Sequence, residues 1–170
     1  MEIKSIKIND EMIHIFDYAL FIFDGNENDY SLSLDIMVSE VVALKFYNED
    51  KVKVCWQYNN GEEQTFMMNL DHVTEVGNTE IPELNLTVDI DNPKDFWWLK
   101  TVNFDTKEEY PSLRKDITID EIRKVEMPDR ELDLTVMIPI DLEEWLYRSD
   151  NQSEILKEAL YDYRKKKASE

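Results

Sequence analysis

The sequence predicts an α+β fold that is mainly β, with antiparallel hairpins closed by two short helices and a C-terminal helix. Three observations lead there. Leu32, Leu34, Ile36 and Val38 alternate with Ser31, Ser33, Asp35 and Met37, the period-two pattern of a strand buried on one face. Asn60-Gly61 stands between two further alternating runs, a strong hairpin signal. Helix-start signals gather from Pro93 onward, whereas the first hundred residues offer no clear helix.

Taken in order, Tyr18–Phe23 is an apolar, strand-sized run. The turn at 24–29, "DGNEND", separates it from the alternating stretch 30–38. "VVALKFY" (41–47) then leads through the turn 48–50 into "KVKVCWQY" (51–58), where Val52, Val54, Trp56 and Tyr58 share a face. After Asn59–Glu63, Phe66, Met68 and Leu70 line one face of the next strand. This region reads as an antiparallel meander. Asn92 as cap, Pro93 at the first helical position and Asp95 in the first turn predict a short helix over 93–100. Asp141, followed by Glu143 and Glu144, predicts a second helix with Trp145 on it. Ser153 caps the third, Ser153–Lys167, whose apolar stripe is Ile155, Leu156, Ala159, Leu160 and Tyr163. The basic run Arg164–Lys167 suits the negative end of that helix.

A repeat runs beneath this order. "ELNLTV" (83–88) recurs as "ELDLTV" (131–136), and "NLDHVTEV" (69–76) resembles "TIDEIRKV" (118–125). Each pair precedes an aromatic Trp-Leu segment, so 69–100 and 118–148 read as a duplicated β-β-α unit. The expected organisation is one mainly-β domain over 1–150, with the amphipathic helix of 151–170 packed on it. The expected core includes Phe21, Phe23, Leu34, Ile36, Val54, Trp56, Leu86, Val88, Leu134, Val136, Trp145 and Leu160.

Charge is the most unusual bulk property. The 170 residues carry 38 acids against 19 Lys and Arg, a net of −19, yet 42% are hydrophobic. That is enough apolar material for a core, so global disorder is not expected. Such a surface repels nucleic acid and anionic membrane and draws in basic partners over roughly 8–10 Å. No apolar run approaches the roughly 20 residues of a membrane helix, the start carries no secretory pattern, and the lone Cys55 forms no internal disulfide. A cytoplasmic, reducing setting follows as the expectation.

Few residues point to catalysis. Cys55 sits mid-strand, where a cysteine usually packs. His14 lies in a strand pattern and His72 in a turn, and no Cys or His spacing suggests zinc. Asp24, Asn26, Asn28 and Asp35 match positions of a calcium loop, but Asp29 stands where glycine is required and no helices flank it. No metal, cofactor or catalytic set is expected.

The interaction signal is "DFWWLK" (95–100). On a helix Trp97 and Trp98 lie about 100° and 200° around from Phe96, so one buried stripe does not cover them all. The candidate binding residues are Trp97, Trp98, Asp95, Glu108 and Glu109. The leading expectation is an acidic, non-catalytic module that docks on a basic face of a larger protein, including a nucleic-acid-binding one. Inhibitors, immunity factors, anti-defence proteins and DNA mimics work this way, and the Lys-, Asn-, Ile- and Glu-rich composition is that of low-GC bacteria and their phages. The alternative is a structural subunit of a phage particle or other assembly, homo-oligomeric through its sheet edges. A small enzyme of unrecognised type is the third.

Overall fold

The computed structural model describes residues 2–25, 29–74, 81–129, 131, 133 and 135–169, without the side chains of 107–109. The chain divides into two compact units, 1–129 and 130–170. The sequence reading places a boundary at residue 150.

The first unit is built on a mixed eight-stranded sheet. Its strands are β1 (Ile3–Ile8), β2 (Glu11–Ile13), β3 (Asp17–Asp24), β4 (Tyr30–Met37), β5 (Lys51–Tyr58), β6 (Glu63–Val73), β7 (Glu83–Asp89) and β8 (Thr101–Asn103). Their spatial order is β2-β1-β5-β6-β7-β4-β3-β8. All neighbours are antiparallel except β3 and β8, which run parallel. The α+β, mainly-β class is as the sequence predicts, but the path is not a simple meander. β4 pairs with β7 and β1 with β5, so later strands are inserted between the two N-terminal hairpins.

Local chemistry sets the turns. Asn9 and Asp10, at φ 50° and 68°, make the two-residue turn between β1 and β2. Both residue types tolerate this left-handed backbone, whose twist matches that of the flanking strands. Gly61 at φ 89° serves the β5–β6 turn.

Register then places one apolar face across the sheet. Ile6 opposes Trp56, Val54 opposes Phe66, Leu70 opposes Leu86, Leu86 opposes Leu34, and Leu34 opposes Leu20. Ile6, Val54, Trp56, Leu34 and Leu86 are fully buried. The sheet curls around this face, because the Ile3 backbone N–H of β1 donates to the Tyr18 hydroxyl of β3 at 2.9 Å, five strands away in the sheet. On the outer side of β3, Phe21 packs edge-on to Tyr110 and Phe23 to Phe104. Those partners come from the 3-10 helix Phe104–Glu109 and the residue that ends it.

Two helices of this unit were not read from the sequence. α1 (Glu40–Phe46) occupies the "VVALKFY" region. Ser39 caps it by accepting from the Val42 N–H at 3.2 Å, and Val42, Ala43 and Phe46 pack into the core. α2 (Ile119–Val125) begins with a capping box between Thr118 and Glu121. That box separates it from its sequence counterpart: Asn69–Val73 has His72 where Thr118–Val125 has Glu121, and it ends β6 instead. His72 is accordingly a strand residue and not a turn residue. The repeated letters thus fold differently: 83–89 is β7, whereas no described residue of 131–136 is in a strand.

The other helices are shorter or shifted. Pro93–Lys100 is a 3-10 helix only over Pro93–Phe96. The second unit contains α3 (Ile140–Tyr147), which starts after Pro139 without a side-chain cap, and α4 (Gln152–Ala168), whose cap position is Asn151 and not Ser153. Of the expected core, Phe21, Leu34, Ile36, Val54, Trp56 and Leu86 are buried, while Phe23 and Val88 are half-buried. Val136, Trp145 and Leu160 are exposed, against expectation, and no described residue of 130–170 is buried. Leu134 lies outside the described residues.

Candidate functional site

The tryptophan pair stands on a turn whose shape is fixed from both ends. Asn92 accepts from the Lys94 N–H at 3.2 Å and donates its side-chain amide to Asp95 at 2.9 Å. Pro93 presets the first turn, and the Leu99 N–H closes on the Phe96 carbonyl at 2.9 Å. Phe96 is buried and tilts against Phe66, which stacks on Trp56 at 5.0 Å in the centre of the curled sheet. Trp98 is half-buried, 5.9 Å from Phe96 and edge-on to Tyr58 at 6.2 Å.

Trp97 is the residue this geometry turns outward. It is 78% exposed and meets Trp98 edge-to-face at 6.0 Å. The two indoles therefore differ in role. Trp98 anchors the turn, and Trp97 projects from it. Asp89, Asp91 and Asp95 in the same segment are exposed, so the indole sits in an acidic stretch of the sequence. This arrangement can bury an indole in a partner's pocket while the carboxylates meet cations around its rim. Glu108 and Glu109 belong to the backbone of the 3-10 helix Phe104–Glu109, but their side chains lie outside the described residues.

A second group merits comparison because it contains perturbed carboxyls. On the outer face of the sheet Asp35 opposes Asn85, which donates to it at 2.9 Å, and Glu83 opposes Met37. Burial raises the Asp35 carboxyl above its ordinary range, with the Asn85 hydrogen bond opposing the rise. Burial also raises Glu83, helped by the negative charge of Asp35 and opposed by His72. Acid-base chemistry needs such groups in a cleft with divided environments. Neither of them lines the groove around Asp50 and Asp71 or the groove around Met12 and Val125.

The remaining sequence candidates separate in space. Asp24 opposes Tyr30 at the turn, while Asp35 opposes Ala19 five residues along β3. At the rise of a strand this is about 16 Å, too far for one calcium ion. Asn26 and Asn28 lie outside the described residues. Among the described residues no group of three His, Cys, Asp or Glu side chains is placed to hold a metal ion. Cys55 is half-buried on the polar face of β5, opposite Lys7 and Thr65. No helix among the described residues is long and apolar enough to cross a membrane.

Sequence reasoning missed the ion pair of Glu40 and Arg123, which ties α1 to α2. Ser39 three residues before Val42, with apolar residues at Val42, Ala43 and Phe46, was a helix signal for α1. Nothing in the sequence linked Glu40 to a residue 83 positions away.

No protein-family model matches the chain, and no curated protein or solved structure matches it.

Proposed function

We propose that this chain is an acidic, non-catalytic binding module that docks on a basic face of a larger protein, with Trp97 as its buried anchor. The observation that carries the reading is the exposure of Trp97 on a turn held by the buried Phe96 and the half-buried Trp98. An exposed indole carried on a braced turn costs little backbone ordering on binding, and interface hot spots are enriched in tryptophan. The net charge of −19 adds long-range attraction to a cationic partner and repels nucleic acid, so the partner is a protein and not a nucleic acid. An inhibitor or immunity-type protein acting on a nucleic-acid-binding enzyme fits this chemistry, in a reducing compartment compatible with the lone Cys55.

Neither alternative has an observation of equal weight. A subunit that stacks through its edges is expected to offer long, flat ones, whereas this sheet ends on the three-residue strands β2 and β8. An enzyme needs its poised groups in a groove with divided environments, and Asp35 and Glu83 line neither the groove around Asp50 and Asp71 nor that around Met12 and Val125.

The test is affinity capture from bacterial lysate with the wild type, Trp97→Ala and a charge-matched acidic control. The expected result is a basic protein retained by the wild type alone, with an affinity that falls steeply between about 50 and 500 mM salt. Equal retention by Trp97→Ala, or by the control, overturns the reading.

A further inference from the structure

The unit 130–170 carries a surface that the Trp97 site does not use. Leu156, Leu160 and Tyr163 of α4 are 51%, 59% and 63% exposed, and they lie along one side of the helix with Ala159. Ile140, Leu142, Trp145 and Tyr147 of α3 are exposed as well. A unit with this many large apolar side chains and no buried described residue lacks a core of its own, and such a surface marks an association site.

Charge indicates what covers it. The 130–170 unit has ten acids against seven bases, a net of −3, so most of the excess of acid lies in 1–129. Two copies of this chain repel each other least where their 130–170 segments meet. Within α4 the halves differ in sign: Glu154, Lys157 and Glu158 give the first a net of −1, and Asp162 with Arg164, Lys165, Lys166 and Lys167 gives the second a net of +3. A parallel pair of such helices brings eight cationic side chains together at one end. An antiparallel pair sets each basic end against the other copy's acidic half and opposes the two helix dipoles.

We infer that α4 pairs antiparallel with α4 of a second copy, burying the stripe of Leu156, Ala159, Leu160 and Tyr163 between them. The centre of the pair falls near Leu160. In that arrangement Ala159 lies close to its own counterpart, whereas the two copies of Ser153 are about 20 Å apart along the axis.

Sedimentation velocity on the full chain between about 1 and 200 μM, in about 0.15 M salt, reads the association directly. The wild type is expected to shift from monomer to dimer. Leu160→Glu sets two carboxylates against each other at the centre of the dimer and is expected to weaken it about 100-fold or more, and Leu156→Glu removes apolar area from the stripe and weakens it less. Both positions are exposed, so the unfolding temperature of 1–129 stays unchanged. In a Cys55→Ser background, oxidation is expected to cross-link Ala159→Cys and not Ser153→Cys. A wild type that stays monomeric throughout, a dimer that survives both glutamates, or equal cross-linking at both cysteines overturns the inference. The readout is independent of Trp97, so it stands or falls apart from the partner-binding role.

Discussion

Arg123 grips Glu40 with two hydrogen bonds, Nε to Oε2 at 2.6 Å and Nη2 to Oε1 at 2.8 Å, and the Glu40 side chain is only 1% exposed. Beside them the Ser39 hydroxyl donates to the Glu126 carboxylate. The N-terminus of α1 and the C-terminal half of α2 are thus joined by charge, next to the fully buried Ile122. Pairing also raises the Arg123 guanidinium above its ordinary range, chiefly through the Glu40 hydrogen bonds.

Removing one partner of such a pair is expected to harm the fold far more than removing both. Arg123→Ala leaves the Glu40 carboxylate buried without its cation, and thermal unfolding should drop by on the order of 10 °C. The double variant Glu40→Leu with Arg123→Leu puts apolar groups in the same space and should recover most of that loss. Differential scanning calorimetry on the two proteins checks this. A double variant no more stable than Arg123→Ala contradicts the account.

Tyr18 is the next test, because it marks where the sheet curls on itself. Its hydroxyl accepts the Ile3 N–H at 2.9 Å, and Ile3 is 8% exposed. Tyr18→Phe keeps the ring and leaves that buried donor unpaired, at a cost of about 1–2 kcal/mol. Hydrogen exchange should quicken first at Ile3 and along β1, while the pairing of β6 with β7 stays protected. Uniform loss of protection across the sheet contradicts this placement of the bond.

What the sequence disclosed follows from which forces are local. Alternation at 30–38 and 51–58 gave strands and their buried faces, because the strand period is fixed by the backbone. Asn60-Gly61 gave its turn for the same reason. The strand order was hidden, since nothing local to Tyr30–Met37 says that β4 pairs with β7 instead of β5. "ELNLTV" and "ELDLTV" misled because the flanking segments differ: Glu121 completes a capping box with Thr118, and His72 cannot do so for Asn69. Of the candidate site, the 100° step showed only that one buried stripe does not cover both tryptophans, which left either a ring pinned under the next segment or an exposed one. That Trp97 is the exposed one was not legible, because Trp98 is held by Tyr58, a contact made across the fold.

The two tryptophans should separate cleanly in experiment. Trp97 is 78% exposed, so Trp97→Ala is expected to change stability by no more than about 0.5 kcal/mol. Trp98 touches Phe96, Tyr58 and Trp97, so Trp98→Ala should cost about 2–3 kcal/mol, below the range for a fully buried ring. Urea unfolding followed by circular dichroism measures both. Comparable losses in the two variants place Trp97 in the core and remove the anchor from the proposed function.

The raised carboxyls make the last prediction one of sign. Asp35 binds its proton more tightly in the folded chain than in the unfolded one, because burial disfavours its charge. Between the ordinary carboxylate value, about 4, and the raised folded value, the folded state therefore holds the extra proton. Stability from this group is full below about pH 4 and is lost as pH climbs through the raised value, the reverse of a salt-bridged carboxylate. Asp35→Asn removes the charge and keeps an oxygen that can accept from Asn85, so it should raise the unfolding temperature at pH 7. The gain should shrink toward pH 4, where the native carboxyl is itself protonated. Glu83, raised in part by the charge of Asp35, should titrate closer to its ordinary value in the same variant, which carboxyl NMR shifts report. An Asp35→Asn protein less stable at pH 7 than the wild type reverses the sign and shows that the carboxylate, with its Asn85 bond, is a net support of the sheet.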